Sequence, residues 1–191
     1  MTLKKIKTRN TILVLMIIAA AAFRLISYKF PYQLSNFNPV GAIALFGGAY
    51  FTDKWKAYLV PLLVLFVSDI FLNRLYSGHW QIMDSSSILV YVFFTIVVFM
   101  GSLIKKANVL NVFSASLAAV VLHWLITDIP FGTLYPHTFA GYMQSLVAAI
   151  PFEKNMLYGD VVFCAILFGG FELAKTKYSV LRTNRELAVQ S

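Results

Sequence analysis

Six long apolar segments alternate with short polar ones along this chain of 191 residues. A bilayer core of about 30 Å needs roughly 20 apolar residues in a helix, and all but one of the segments approach that length. None shows the period-two alternation of a membrane β-barrel, so the pattern predicts an all-α bundle of six transmembrane helices. The predicted helices are 11–28, 39–52, 57–74, 86–104, 109–127 and 155–174.

The second segment differs from the others because it is short and rich in small residues. It lies within NFNPVGAIALFGGAYF, residues 36–51. Asn36 and Asn38 are placed to cap a helix start, and Pro39 suits its first turn. Ala44 and Gly48 form a small-xxx-small pair, which favours close packing of this helix against its neighbours.

The longest connection is predicted at 128–154, between the fifth and sixth helices. Its three prolines favour a loop, with one short interfacial helix at 138–150. The sequence therefore predicts a single transmembrane domain, 1–180, followed by a polar tail, 181–191. The first segment has no clear cleavage site, so we interpret it as a retained helix and not as a signal peptide.

Composition excludes a soluble domain. The chain is 59% hydrophobic and 13% charged, with a mean hydropathy of +0.73, whereas soluble domains have about 25% charged residues. The net charge of +8 does not indicate nucleic-acid binding, because the basic residues lie at the ends of apolar segments. The single cysteine, Cys164, excludes a disulfide within the chain.

The basic residues also predict an orientation, since cytoplasmic loops of membrane proteins are enriched in lysine and arginine. Of the 16 such residues, 12 fall on one side of a six-helix arrangement. These are Lys4, Lys5, Lys7, Arg9, Lys54, Lys56, Lys105, Lys106, Lys175, Lys177, Arg182 and Arg185. We therefore predict a multi-pass protein of the bacterial cytoplasmic (inner) membrane, with both termini in the cytoplasm.

Ionisable and amide side chains inside apolar segments are costly, so each one is a candidate functional residue. Most of them fall at one depth, in the outer third of the predicted bundle, which favours a pocket open to the outside. The predicted substrate-binding residues are Arg24, Asn36, Asn38, Asp69, Asn73, His123, Asp128, Tyr158 and Asp160. The alternative is that these groups end helices and pair with one another, as Arg24 could with Asp69.

The sequence contains none of the common catalytic or metal-binding motifs. Its three histidines lack H-x-x-x-H spacing, and no serine lies in a G-x-S-x-G context. We expect no cofactor, no metal and no enzymatic activity. A nucleotide-binding loop is also missing, so an uptake function would need energy from a partner or a gradient.

Several segments resemble an uncharacterised bacterial membrane-protein family of unknown function. They are residues 36–51, PLLVLFVSDIFL at 61–72, LYPHTFAGYMQSLVAAIPFEKNMLYGD at 134–160 and ILFGG at 166–170. The resembling positions are Asn36, Pro39, Gly41, Gly47, Ser68, Asp69, Tyr135, Pro136, Gly141, Asn155, Gly159 and Asp160. Members usually carry Thr-Asn at the end of the fifth helix, where this chain has Thr127 and Asp128.

The predicted architecture is also similar to the substrate-binding S-component of energy-coupling-factor (ECF) vitamin transporters. That resemblance implies an outward-facing site for a small organic solute such as a vitamin. It also implies a transmembrane coupling subunit and ATPases as partners, besides membrane lipid. Two alternatives remain open: a non-enzymatic membrane scaffold, and an intramembrane lipid-modifying enzyme that uses Asp69, Asp128, Asp160 or His123 as acid or base.

Overall fold

The computed structural model describes residues 3–31, 34–83, 87–130 and 134–183, with side chains from Lys5 onward. The helices are α1 (Leu3–Ser27), α2 (Val40–Tyr50), α3 (Lys54–Ser77), α4 (Ser87–Ser102), α5 (Val109–Thr127), α6 (Phe139–Cys164) and α7 (Gly170–Lys177). A π turn, Ala165–Gly169, joins α6 to α7, so Phe139–Lys177 is one continuous helix of 39 residues. A 3-10 turn, Ser179–Leu181, follows.

The prediction of an all-helical bundle of six helices is confirmed within these ranges, if α6, the π turn and α7 are counted as one. Four of the six helices are long and apolar enough to cross a membrane, while α2 and α4 are shorter apolar helices. The orientation and the span assigned to the second helix stay predictions, as does the division into domain and tail. Arg185 and the tail beyond Thr183 lie outside the described residues.

The predicted start of the sixth helix, at residue 155, is wrong. Residues 139–154 are part of one long helix and not of a loop with a separate short helix, because α6 begins at Phe139, directly after its N-cap Thr138. Pro151 lies inside this helix. A proline removes one backbone hydrogen bond, and a membrane helix tolerates that loss when neighbouring groups compensate for it.

The centre of the bundle is α2. Every one of its residues except Ala49 is buried, and it packs against α1, α3, α4, α5 and α6. Its 11 residues extend only about 17 Å at 1.5 Å per residue, roughly half of a bilayer core. Because α2 is enclosed by protein, its length does not have to match the membrane.

Two glycines allow α2 and α4 to pack backbone against backbone. A Cβ at Gly48 of α2 would overlap the Val98 carbonyl oxygen of α4. A Cβ at Gly101 of α4 would in turn overlap the Leu45 carbonyl oxygen of α2. Small residues at such crossings let helices approach closely in a membrane, so the close packing expected at Gly48 is observed.

We expect Gly48→Ala to destabilise the fold by about 2–3 kcal/mol, because the added methyl group must push two backbones apart. Gly170→Ala is the matched control. Its Cβ would meet only the Met16 methyl carbon, at 3.9 Å, so the substitution should be neutral or slightly stabilising within a helix. Unfolding of the detergent-solubilised variants measures both effects. Equal stability of the two variants would contradict the proposed contact.

The outside of the bundle is strongly apolar. Leu63, Phe71 and Phe99, from α3 and α4, are each about half exposed at 50%, 50% and 52%. Apolar surface on this scale is rare on soluble monomers and typical of a surface in contact with lipid. Together with the four long apolar helices, it supports the assignment to a membrane.

Candidate functional site

Polar side chains gather at one end of the bundle, which we call the upper end. It is the end at which α1, α3 and α5 finish and α2 and α4 begin. The side chains form three clusters and line one cavity.

The first cluster, the α2 cap, closes the start of the central helix. Asp160 of α6 is completely buried, and its Oδ1 accepts a hydrogen bond from the Ala42 N–H at 3.0 Å. Asn38 Oδ1 accepts a second one from the Val40 N–H at 3.1 Å. The first amides of a helix have no partner within the helix and form its positive end. Asp160 therefore caps α2 from another helix, in addition to the local cap that Asn38 supplies.

Glycines make room for this cap. A Cβ at Gly41 would overlap the Asp160 carboxylate, and one at Gly159 would press on the Asn38 backbone. Two motifs of the resemblance, N-F-N-P-V-G at 36–41 and G-D at 159–160, thus form one packed unit. The predicted capping by Asn38 is observed. Asn36 contributes its carbonyl oxygen, which accepts from Asn38 Nδ2 at 3.1 Å, and its own φ of 58° is left-handed.

The second cluster, the Arg24 cluster, joins α1, α3 and α4. Arg24 Nη2 lies 2.7 Å from Asp69 Oδ1, and the side chains of the pair are only 15% and 23% exposed. Arg24 Nη1 also donates to the Ser68 hydroxyl and, at 3.4 Å, to the Leu65 carbonyl. The Tyr91 hydroxyl donates to Asp69 Oδ2 at 2.7 Å. The guanidinium is therefore held in one orientation and its charge is compensated.

The third cluster, the His123 cluster, joins α5 to α6. His123 Nδ1 lies 3.0 Å from Glu153 Oε1, and Glu153 is buried. The Thr127 hydroxyl donates to the His123 carbonyl one turn away, at 2.8 Å. Asp128 follows the end of α5. Burial raises the pKa of its carboxyl, the nearby Glu153 carboxylate raises it further, and His123 opposes the rise.

A cavity of about 260 Å³ opens beside the Arg24 cluster, and we call it the upper cavity. Arg24 and Ser27 come from α1, whereas Asn36, Phe37 and Asn38 come from the connection to α2. Leu72 and Tyr76 of α3 form the opposite wall. Its lining combines a guanidinium, amide groups and rings.

Only part of the predicted site comes together in this cavity. Arg24, Asn36 and Asn38 line it, and Asp69 is held by Arg24. Asn73 instead donates to the Gln81 carbonyl at 3.1 Å. His123 and Asp128 belong to the His123 cluster, and Asp160 belongs to the α2 cap. Tyr158, which is 57% exposed, does not line the cavity.

Tyr91 and Glu153 were missed by the sequence analysis, and Ser68 was named there only as a resembling position and not as a binding residue. A signal for Glu153 existed. It precedes Asp160 by seven residues, the spacing of two helical turns, so both face the core once α6 is continuous. No group of three or more His, Cys, Asp or Glu in the described part of the chain could hold a metal ion.

A comparison with known protein families identifies the family of this chain. The family model for DUF6580, a family of unknown function, matches residues 4–182. The chain belongs to this family. The match covers all seven helices apart from the first residue of α1, so the DUF6580 region is essentially the whole described bundle. No curated protein and no solved structure matches the chain significantly.

Proposed function

We propose that this DUF6580 protein is a membrane-embedded binding protein for the uptake of a small organic solute, similar to an ECF S-component. The observation that supports this most is the upper cavity, where Arg24, Asn36 and Asn38 meet. Cavities with a few oriented polar groups and apolar walls are the usual form of small-molecule sites. On this proposal the upper end faces outward, in a multi-pass protein of the inner membrane.

The charges in the cavity favour a neutral polar solute. Arg24 is paired with Asp69, so an anionic ligand would have to compete with a carboxylate that already compensates the guanidinium. The amides of Asn36 and Asn38 can both donate and accept hydrogen bonds. Tyr76 and Phe37 provide apolar faces for a ring or a short chain. The volume of about 260 Å³ suits a compact molecule.

Transport would require a movement of the bundle or a partner. Below the Arg24 cluster the core consists of apolar side chains such as Leu13, Ile17 and Leu45, all completely buried. A polar solute cannot cross such a region unaided. A transmembrane coupling subunit with ATPases would supply the energy, and the exposed Ala19 and Ala22 of α1 offer a small-residue surface for its docking.

Asn36→Gly tests the site with little risk to the fold. Glycine adopts the left-handed φ of Asn36 without strain, so stability without solute should be unchanged. The loss of one amide should weaken solute binding about tenfold, the cost of a lost hydrogen bond. Native mass spectrometry first screens a panel of neutral vitamins for a bound solute, and solute-induced thermal stabilisation then compares the variants.

Asn73→Ala is the control, because it removes an amide of the same chemistry outside the cavity. It should leave the solute-induced stabilisation as in the wild type. Full stabilisation of Asn36→Gly by a solute that stabilises the wild type would refute this site. A stoichiometric membrane protein in the mass spectrum, with no small molecule, would favour the scaffold alternative instead.

A further inference from the structure

A second cavity lies at the opposite, lower end of the bundle, between α5 and the continuous helix. Its volume is about 320 Å³, and we call it the lower groove. It is lined by Asn108, Val112 and Ser116 of the α5 side and by Cys164, Phe168 and Glu172 of the other. Val109 and Phe113, which are 88% and 44% exposed, stand at its rim. The groove therefore opens toward the lipid-facing surface.

The π turn forms one wall of this groove. Ala165 and Gly169, its first and last residues, both line the cavity. A π turn widens a helix locally, and such turns are frequent at functional sites. Small side chains on the widened segment, with Ser116 on the floor, leave space that a regular helix with larger side chains would fill.

The length of the groove matches one leaflet of a bilayer. It extends from Asn108 to Ser116 along α5, about 12 Å at 1.5 Å per residue. A leaflet contributes half of the apolar core, about 15 Å. An occupant that enters from the lower surface is thus enclosed over most of one leaflet and does not reach the upper cavity.

The charge at the mouth favours an acidic head group. The exposed Lys105 and Lys106 directly precede Ala107 and Asn108, which line the groove. The only carboxylate in its lining, Glu172, accepts from the Tyr50 hydroxyl at 2.5 Å and pairs with Lys175 at 2.8 Å. The two lysines are therefore available to an external anion, and adjacent lysines at a membrane surface attract anionic lipids.

We propose that the lower groove binds one acyl chain of an anionic phospholipid of the adjacent leaflet, with the lipid phosphate at Lys105 and Lys106. The site is separate from the upper cavity and does not depend on the proposed function. The bound lipid fills the space between α5 and the π turn, and it fixes the lower ends of the two helices relative to each other.

Native mass spectrometry of the full chain tests the head group. The protein is equilibrated with an equimolar mixture of phosphatidylglycerol and phosphatidylcholine of identical chains. We expect the wild type to retain one phosphatidylglycerol with roughly tenfold preference, a ratio that two lysines at the surface can supply. Lys105→Gln/Lys106→Gln should lose the preference. Lys29→Gln/Arg74→Gln removes the same charge at the upper end and should keep it.

A second pair of variants tests the groove itself. Ala165→Phe fills the groove from an exposed position, and Ala148→Phe makes the same exchange on an exposed part of α6 outside it. Ala165→Phe should lower retention of phosphatidylglycerol at least fivefold, while Ala148→Phe should leave it unchanged. Equal retention by these two variants overturns the site, and equal retention of both lipids by the wild type overturns the head-group assignment. Recovery of a non-lipid molecule that Ala165→Phe displaces overturns the proposal as well.

Discussion

Replacing Asp160 with alanine is expected to destabilise the folded protein by about 2–4 kcal/mol, one of the two largest effects that we predict. The substitution leaves the buried Ala42 N–H without an acceptor, which alone costs about 1–3 kcal/mol. It also removes a carboxylate from the positive end of α2. Asp160→Asn keeps an acceptor oxygen in the same place and should retain most of the stability. Unfolding in detergent or bicelles, monitored by circular dichroism, measures both variants.

A double-mutant cycle with Gly41 separates the cap from a general packing defect. Gly41→Ala alone should be strongly destabilising, since its methyl group would overlap the Asp160 carboxylate. In the Asp160→Ala background the same methyl group has room and should cost little. We therefore expect a coupling free energy of about 1–3 kcal/mol, within the range for residues in contact. Additive effects of the two substitutions would show that the carboxylate and Gly41 do not share the same space.

Breaking the Arg24–Asp69 pair is the second large effect. Arg24→Gln and Asp69→Asn should each cost about 2–3 kcal/mol, less than the roughly 3–5 kcal/mol of a fully buried pair, because these side chains are 15% and 23% exposed. The double variant should be more stable than either single variant, because it leaves no unpaired charge. The measurement is again the unfolding free energy in a membrane mimic.

Arg24→Lys distinguishes charge from geometry in this cluster. Lysine keeps the positive charge but lacks the planar group with which Arg24 reaches Ser68, Asp69 and the Leu65 carbonyl at once. An intermediate loss is expected. If both charge-removing single variants cost less than about 0.5 kcal/mol, in the range of exposed pairs, the cluster does not stabilise the bundle.

The helices of this fold were predictable where apolar runs have clear polar ends. The fifth helix was predicted at 109–127 and is observed as Val109–Thr127. The first was predicted to begin at residue 11, but α1 begins at Leu3, because polar residues such as Lys7 and Thr8 continue a helix without belonging to its apolar run. Such residues give no signal in a hydrophobicity pattern.

The start of α6 could not be predicted from local sequence for a different reason. Pro151, Glu153, Lys154 and Asn155 together have the composition of a loop. The helix continues through them because Glu153 finds a partner in His123, 30 residues earlier in the chain. Only the tertiary contact shows that Glu153 can be buried within a helix.

For the candidate site, too, the sequence predicted one property of the polar groups and not another. Sequence position indicated that polar groups share the upper end of the bundle, but not which face of each helix they occupy. Asp160, predicted to bind substrate, accepts a hydrogen bond from the Ala42 N–H at the start of α2. Asn73 binds the nearby Gln81 carbonyl. Arg24 and Asp69, named as a pair in the alternative interpretation, do form one.

The position of α2 at the centre has a consequence for biogenesis. Residues 40–50 leave the ribosome early, yet the groups that hold them come much later: Gly101 from α4 and Asp160 from α6. Until residue 160 has been synthesised, the amides at the start of this helix have no carboxylate to satisfy them. We therefore expect α2 to reach its final packing only after the C-terminal half of the chain has been synthesised.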